Sequence, residues 1–230
     1  MGLASHAAHR VVTDSTRMGM PEVLIGLSPD VGGLWLYSRA PGRTGVYAAL
    51  TAAHLSAGDA LYMGLADHYV PDDRIDALTA RLQQVSADEA LREFDGRPPS
   101  QIADRRAVID DMFGASTVAG IAAAVAAGDS DVAELAGTAL TGASPTALSV
   151  TFEGLRRAAE MTDLAECLAQ DLRVGQHCAR HPDLTEGIRA RVVDKDRNPK
   201  WNPPTLHGLG PGDVERFFAP IGTPLQMRGW

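Results

Sequence analysis

Beyond Asp72 the chain is almost entirely helical in pattern and rich in alanine, and this shortage of strands limits its fold more than any other feature. Ser144-Pro145 sets a cap and an N1 proline ahead of a helix expected over 145–160. Asp163 with Glu166, and Asp183 with Glu186, repeat a capping residue followed three positions later by an acid. Arg97-Pro98-Pro99-Ser100 is the clearest linker, and the Pro- and Gly-rich tail from Asn202 carries a short helix near 213–218. β-Forming residues gather at the front, as Val11-Val12, Val23-Leu24-Ile25 and Asp67-His68-Tyr69-Val70, the last stopped by Pro71. Ser56-Ala57-Gly58-Asp59 is a capping-box variant opening a short helix that Gly64 can end. The expected layout is α/β or α+β, with few strands at the front and helices from about residue 72.

The 230 residues suit one large domain or two small ones, and 45% hydrophobic with 22% charged is ordinary globular composition. No apolar run approaches the ~20 residues of a membrane-spanning helix. Met1-Gly2-Leu3-Ala4-Ser5-His6 lacks the basic and apolar regions of a signal peptide, so a cytoplasmic location is the expectation. A net charge of −8 argues against a nucleic-acid binder, which needs a basic face. Cys167 and Cys178 fall eleven residues apart in one predicted helix. That is about 16 Å along the axis, beyond the roughly 7 Å a disulfide spans between Cα atoms. They read as small buried hydrophobes with no redox or metal role.

Met20 to Gly33 carries the chemistry. Two carboxylates, Glu22 and Asp30, stand eight residues apart among apolar residues, glycine and proline. On a straight strand they would lie about 26 Å apart, but Gly26 and Pro29 can supply a reversal. The expectation is a short buried strand, a turn, and a helix opening at Val31 with Asp30 as its N-cap. A break at Arg39-Ala40-Pro41-Gly42 then starts a second helix running to about Ala53. Both acids would face one pocket. On spacing alone the bland alternative stays open: Glu22 salt-bridged or in a first turn, Asp30 merely capping.

Other constellations are weaker. His6 and His9 form H-x-x-H without a nearby third ligand, so no metal site is expected. The remaining histidines are scattered, and Gly32-Gly33 is a pair, not a G-x-G-x-x-G phosphate loop. Asp194-Lys195-Asp196-Arg197-Asn198-Pro199-Lys200-Trp201 reads either as a solvated helix end with internal ion pairs, or as an ordered lid or a contact to an acidic ligand.

The motifs M-P-E-V-x-I-G-x-x-P-D-V-G-G and D-K-D-x-x-P-K-W together resemble the 3-hydroxyisobutyryl-CoA hydrolases, a branch of the enoyl-CoA hydratase/isomerase (crotonase) superfamily. The similarity continues through residues 38–42, 49–51, 64–71, 144–146 and 186–190, and is weakest between Ala87 and Gly142. It implies a single crotonase-like α/β spiral domain over 1–230, with an active-site segment in 1–71 and a helical portion in 72–230. It also implies hydrolysis of 3-hydroxyisobutyryl-CoA, a step of valine breakdown. Glu22 would be the principal catalytic carboxylate, activating water or attacking the thioester, and Asp30 would hold the substrate's β-hydroxyl or orient the reacting group.

The resemblance implies no metal or organic cofactor, with CoA arriving in the substrate. Its phosphates would want arginines, and Arg39, Arg43 and Arg197 are the candidates. A homo-oligomer through the C-terminal helices is expected, without nucleic-acid or membrane partners. Hydratases of the superfamily carry a second acid at the position of Gly2, so its absence here favours the hydrolase. An enoyl-CoA hydratase or isomerase is the alternative. Ser28 stands where relatives usually have an aromatic residue, implying a roomier or more polar pocket wall. The family's oxyanion glycine run and further strands precede the position of Gly2. The chain therefore reads as the C-terminal portion of a longer enzyme, or as an impaired fragment acting as a binding module.

Overall fold

A computed structural model describes residues 1–94 and 96–222. Val11–Val12 (β1) and His68–Tyr69 (β2) pair in parallel, with Val11 opposite His68 and Val12 opposite Tyr69. Met18 and Leu55 add one antiparallel bridge. Arg10 pins this front end by donating to Asp67 and, at 2.8 Å, to the Gly64 carbonyl.

The helices are α1 (Gly33–Tyr37), α2 (Thr44–Thr51), α3 (Ala57–Tyr62), α4 (Ile75–Leu82), α5 (Ala87–Leu91), α6 (Gln101–Asp104), α7 (Arg106–Met112), α8 (Val118–Ala127), α9 (Asp131–Gly142), α10 (Pro145–Glu160), α11 (Leu164–Cys178), α12 (Pro182–Ile188) and α13 (Pro211–Glu215). A 3₁₀ turn at Arg216–Phe218 continues α13, matching the short helix expected near 213–218. Their starts follow local chemistry. Ser86, Ser100, Thr117, Ser130 and Ser144 each accept a backbone N–H three residues on. Ser56 and Asp59 form the expected capping box, and Gly64 follows α3 with a left-handed φ of 72°. Among the described residues, no helix is long and apolar enough to cross a membrane.

The main core joins the two strands to α1, α2, α9, α10 and the start of α11 through buried Val12, Leu34, Tyr37, Leu50, Leu148 and Cys167. A smaller cluster of Val70, Leu78, Leu91 and Phe94 sits under α4 and α5. Another, of Val150, Val174, Cys178, Phe217 and Phe218, fastens the end of α13 to α10 and α11. Burial raises both cysteine thiols to about 12, so neither is a thiolate at neutral pH. The Pro98-Pro99 linker lies on α3, where a β-carbon on Gly58 would stand 2.0 Å from the Pro99 carbonyl oxygen.

Gly45 allows α2 to meet α1, since a β-carbon there would fall 1.8 Å from the Tyr37 carbonyl oxygen. Gly45→Ala is therefore expected to cost about 1–3 kcal/mol through overpacking. A thermal melt indistinguishable from wild type would show that α1 and α2 can move apart freely.

Three local expectations are corrected. Val23-Leu24-Ile25 is not a strand: Glu22–Ile25 is a 3₁₀ turn, with Leu24 N–H bonded to the Pro21 carbonyl and Leu27 N–H to the Glu22 carbonyl. Asp30 does not cap a helix through its side chain. Its carbonyl receives Gly33 N–H at 2.7 Å in a tight turn, and α1 begins at Gly33 behind Gly32. Asp183 lies inside α12, which His181 caps by accepting Asp183 N–H on Nδ1. The Asp183 carboxylate is buried and accepts from Ser144 Oγ and Asn202 N–H instead.

Candidate active site

The Glu22–Ile25 turn is held from several directions. Gly26 ends it in a left-handed conformation (φ 77°), and a β-carbon there would strike the Asp183 backbone at 2.5 Å. Ser144 N–H bonds the Val23 carbonyl at 3.0 Å, joining the turn to the start of α10. Arg191 Nε donates to the Leu24 carbonyl at 3.1 Å. Gly187 of α12 presses on Ile25, where a β-carbon would meet backbone at 2.4 Å. With Val23 fully buried, the turn sits on a rigid base and Glu22 projects from its first residue.

The second acid comes from an equally constrained turn. Val31 and Gly32 both have positive φ, 49° and 77°, so the chain doubles back between Asp30 and α1. His6 Nε2 pairs with the Val31 carbonyl at 3.0 Å, and Asp171 of α11 accepts Gly32 N–H at 2.8 Å. Gly2 lies against Val31, where a β-carbon would come within 2.3 Å of Cγ2.

Burial raises the Glu22 carboxyl, and the nearby charge of Asp30 pushes it in the same direction. Tyr37 is fully buried, and its hydroxyl is raised by burial and by the Glu22 charge. Glu22 Oε2 is buried with no hydrogen-bond partner among the described residues, and so is Thr146 Oγ1, two residues past the Ser144 anchor. A buried carboxylate oxygen left open in this way can receive a polar ligand.

The remaining candidates separate. Arg39 stacks 3.1 Å over the Trp35 ring and donates to the carbonyls of Trp35, Ala158 and Met161, so its guanidinium is occupied in joining α1 to the end of α10. It is withdrawn as a phosphate ligand. Arg43 lines a cavity of about 270 Å³ with Arg156 and Phe152, while Arg197 lies in the exposed Asp194–Trp201 segment. Ser28 is buried and receives the Thr151 hydroxyl at 3.1 Å, so its polarity is satisfied inside and not offered to a pocket wall. His6 is engaged by the Val31 carbonyl and His9 lies 3.8 Å from Asp88. A larger cavity of about 490 Å³ between α8 and α9 is lined by neither Glu22 nor Asp30.

The Asp194–Trp201 segment forms the internal ion-pair arrangement. Arg189 collects Glu186, Asp194 and Asp196 at 2.7–2.8 Å, and this pairing pulls the Glu186 carboxyl down to about 2. Trp201 Nε1 donates to the Gly142 carbonyl at 3.3 Å, securing the segment to the end of α9. Asp171 was missed by motif reading. A signal existed: with Cys167, Val174 and Cys178 it follows the i, i+4, i+7, i+11 spacing of one apolar face, where an acid is out of place.

A family model described as enoyl-CoA hydratase/isomerase matches residues 1–218. The mitochondrial 3-hydroxyisobutyryl-CoA hydrolase of Dictyostelium discoideum is 32% identical, over 99% of this chain and 62% of that protein. 3-Hydroxyisobutyryl-CoA hydrolase 1 of Arabidopsis thaliana is 34% identical, over 96% and 62%. The chain thus spans about three fifths of the length of these curated relatives. Among solved structures, a carnitinyl-CoA dehydratase from Mycobacterium thermoresistibile superposes with a TM-score of 0.94 at 46% identity, covering 100% of this chain and 66% of that one. An enoyl-CoA hydratase from Rhodobacter sphaeroides gives 0.88 at 36%, covering 95% and 64%. The few front strands and the long helical portion are therefore part of a crotonase-like fold. The cytoplasmic expectation does not stand, because the Dictyostelium relative and its counterpart in Danio rerio are named mitochondrial.

Proposed function

The chain belongs to the enoyl-CoA hydratase/isomerase family, and from that premise we propose that it serves hydrolysis of a short β-hydroxyacyl-CoA thioester, 3-hydroxyisobutyryl-CoA. The observation that carries this is the buried Glu22 Oε2, which has no hydrogen-bond partner among the described residues and feels the charge of Asp30, on a turn held by the start of α10, by α12 and by Arg191. In this reading the Glu22 carboxylate either takes a proton from water as it attacks the thioester carbonyl, or attacks that carbon itself. In either route the C–S bond breaks and CoA leaves as thiolate; in the second, water then cleaves the resulting anhydride. Asp30 accepts the substrate's β-hydroxyl. CoA arrives in the substrate, so no separate cofactor is assigned. The continuous core from Val12 to Cys167 supports treating the chain as one domain. A homo-oligomer is proposed from the family alone.

Thiol release from 3-hydroxyisobutyryl-CoA, with crotonyl-CoA hydration in parallel, tests the reading. The hydrolase reading expects the first activity and little of the second. Because the solved relatives above are named as a dehydratase and a hydratase, hydration of crotonyl-CoA is the second reading, and it would overturn the first. Binding of the thioester without turnover would identify a binding module. The pH profile adds a check: only ionised Glu22 can act, and its carboxyl is raised, so the acid limb should lie above that of an ordinary glutamate. A limb at the ordinary position would separate the activity from the buried acid.

A further inference from the structure

We propose that Asp171, on α11, is a positioning residue that holds the Asp30–Gly33 turn and thereby aims Asp30 at the ligand of the Glu22 site; this rests on the functional reading above. Three observations carry it. The residue is 8% exposed, and its side chain accepts Gly32 N–H on Oδ2 at 2.8 Å, a contact 139 positions apart in sequence. It reaches the turn at its most contorted point, where Val31 and Gly32 have positive φ and a β-carbon on Gly32 would strike His6 and Leu164. Nothing in the immediate sequence supplies that support, since the turn's own closure is the single bond from Gly33 N–H to the Asp30 carbonyl. A non-glycine residue with positive φ persists only where its surroundings over-determine it, and Asp171 and His6 are the groups that do so.

The groups facing Asp171 are Asp30 from the turn, Cys167 from one turn earlier on α11 and, across Gly32, His6; Arg39 lies near Cys167. Burial first, and then the like charge of Asp30, lift the Asp171 carboxyl to about 7 against the pull of Gly32 N–H. The hold on the turn is therefore graded across neutral pH: weaker when Asp171 is neutral, stronger when it is ionised.

The test follows the Gly32 amide and the Asp30 carboxyl by NMR in the labelled chain, with and without thiol-release kinetics. Wild type is expected to show the Gly32 amide titrating with a midpoint near 7. Asp171→Asn, which still accepts the N–H, should abolish that titration and keep the turn. Asp171→Ala should speed exchange of the Gly32 amide, move the Asp30 signal, and lower kcat about tenfold with KM nearly unchanged. Asn should restore most of kcat and flatten its pH dependence near 7. An unmoved Asp30 signal and unchanged Gly32 exchange in Asp171→Ala would overturn the proposal. So would unchanged kcat in a chain whose turnover Glu22→Gln removes. If wild type releases no thiol, the functional reading fails alone, and the two NMR signals still decide whether Asp171 sets the turn.

Discussion

Glu22→Gln is expected to lower thiol release from 3-hydroxyisobutyryl-CoA by about 10²–10⁴-fold, the contribution of a positioned acid or base. The substitution keeps the size of the side chain and removes its charge. In the folded chain that charge is disfavoured twice, by burial and by Asp30. The variant should therefore melt no lower than wild type, and higher if desolvation of Glu22 dominates. Loss of turnover without loss of stability separates a functional acid from a structural one. Retained turnover, or a clear fall in melting temperature, would make Glu22 part of the scaffold and leave the chemistry to another group. Asp30→Asn should act more weakly, because an amide still meets a substrate hydroxyl.

The largest expected loss of stability is at Asp183. Its carboxylate is 1% exposed and joins three parts of the chain: Ser144 Oγ at 2.5 Å from the start of α10, Asn202 N–H at 2.8 Å from the tail, and its own α12. Its backbone also abuts Gly26, at the foot of the Glu22 turn. Asp183→Ala leaves a buried hydroxyl and a backbone N–H without their acceptor, and a cost of about 3–5 kcal/mol is expected from urea unfolding. Asp183→Asn keeps one acceptor and should cost less. Because the lost bonds reach Ser144, whose N–H holds Val23, the alanine variant should also loosen the Glu22 turn. A loss below about 1 kcal/mol would show that neighbouring water replaces the carboxylate, a sign that this junction is not sealed.

The two turns differ in how far their form is legible in the sequence. Glu22 and Asp30 stand out as a pair because two acids among apolar residues need a reason, and Gly26 and Pro29 announce a reversal between them. The form of that reversal was misjudged. Val23-Leu24-Ile25 has strand composition, but the Val23 carbonyl is taken by Ser144 N–H and the Leu24 carbonyl by Arg191. β-Propensity describes fitness for a pleated surface, and the turn has no such surface beside it. Asp30 looked like a helix cap, yet positive φ at Val31 and Gly32 delays the helix to Gly33. Arg39 is open to a phosphate by sequence alone, but in the fold its fork is taken by three carbonyls.

The sequence by itself determined what depends on three or four neighbours: the capping box at Ser56, the proline-started helix at Ser144, the left-handed Gly64 and the end of β2 at Pro71. Such features close within one helical turn, so their energetics are written in adjacent residues. It also determined the family, because the two acid-bearing motifs survive as contiguous strings. Only the tertiary structure decided that Glu22 Oε2 is buried, that Asp30 adds to the rise of its carboxyl, and that Asp171 grips Gly32. Burial and charge coupling are set by what packs around a group, and here the packing comes from helices more than a hundred positions away along the chain.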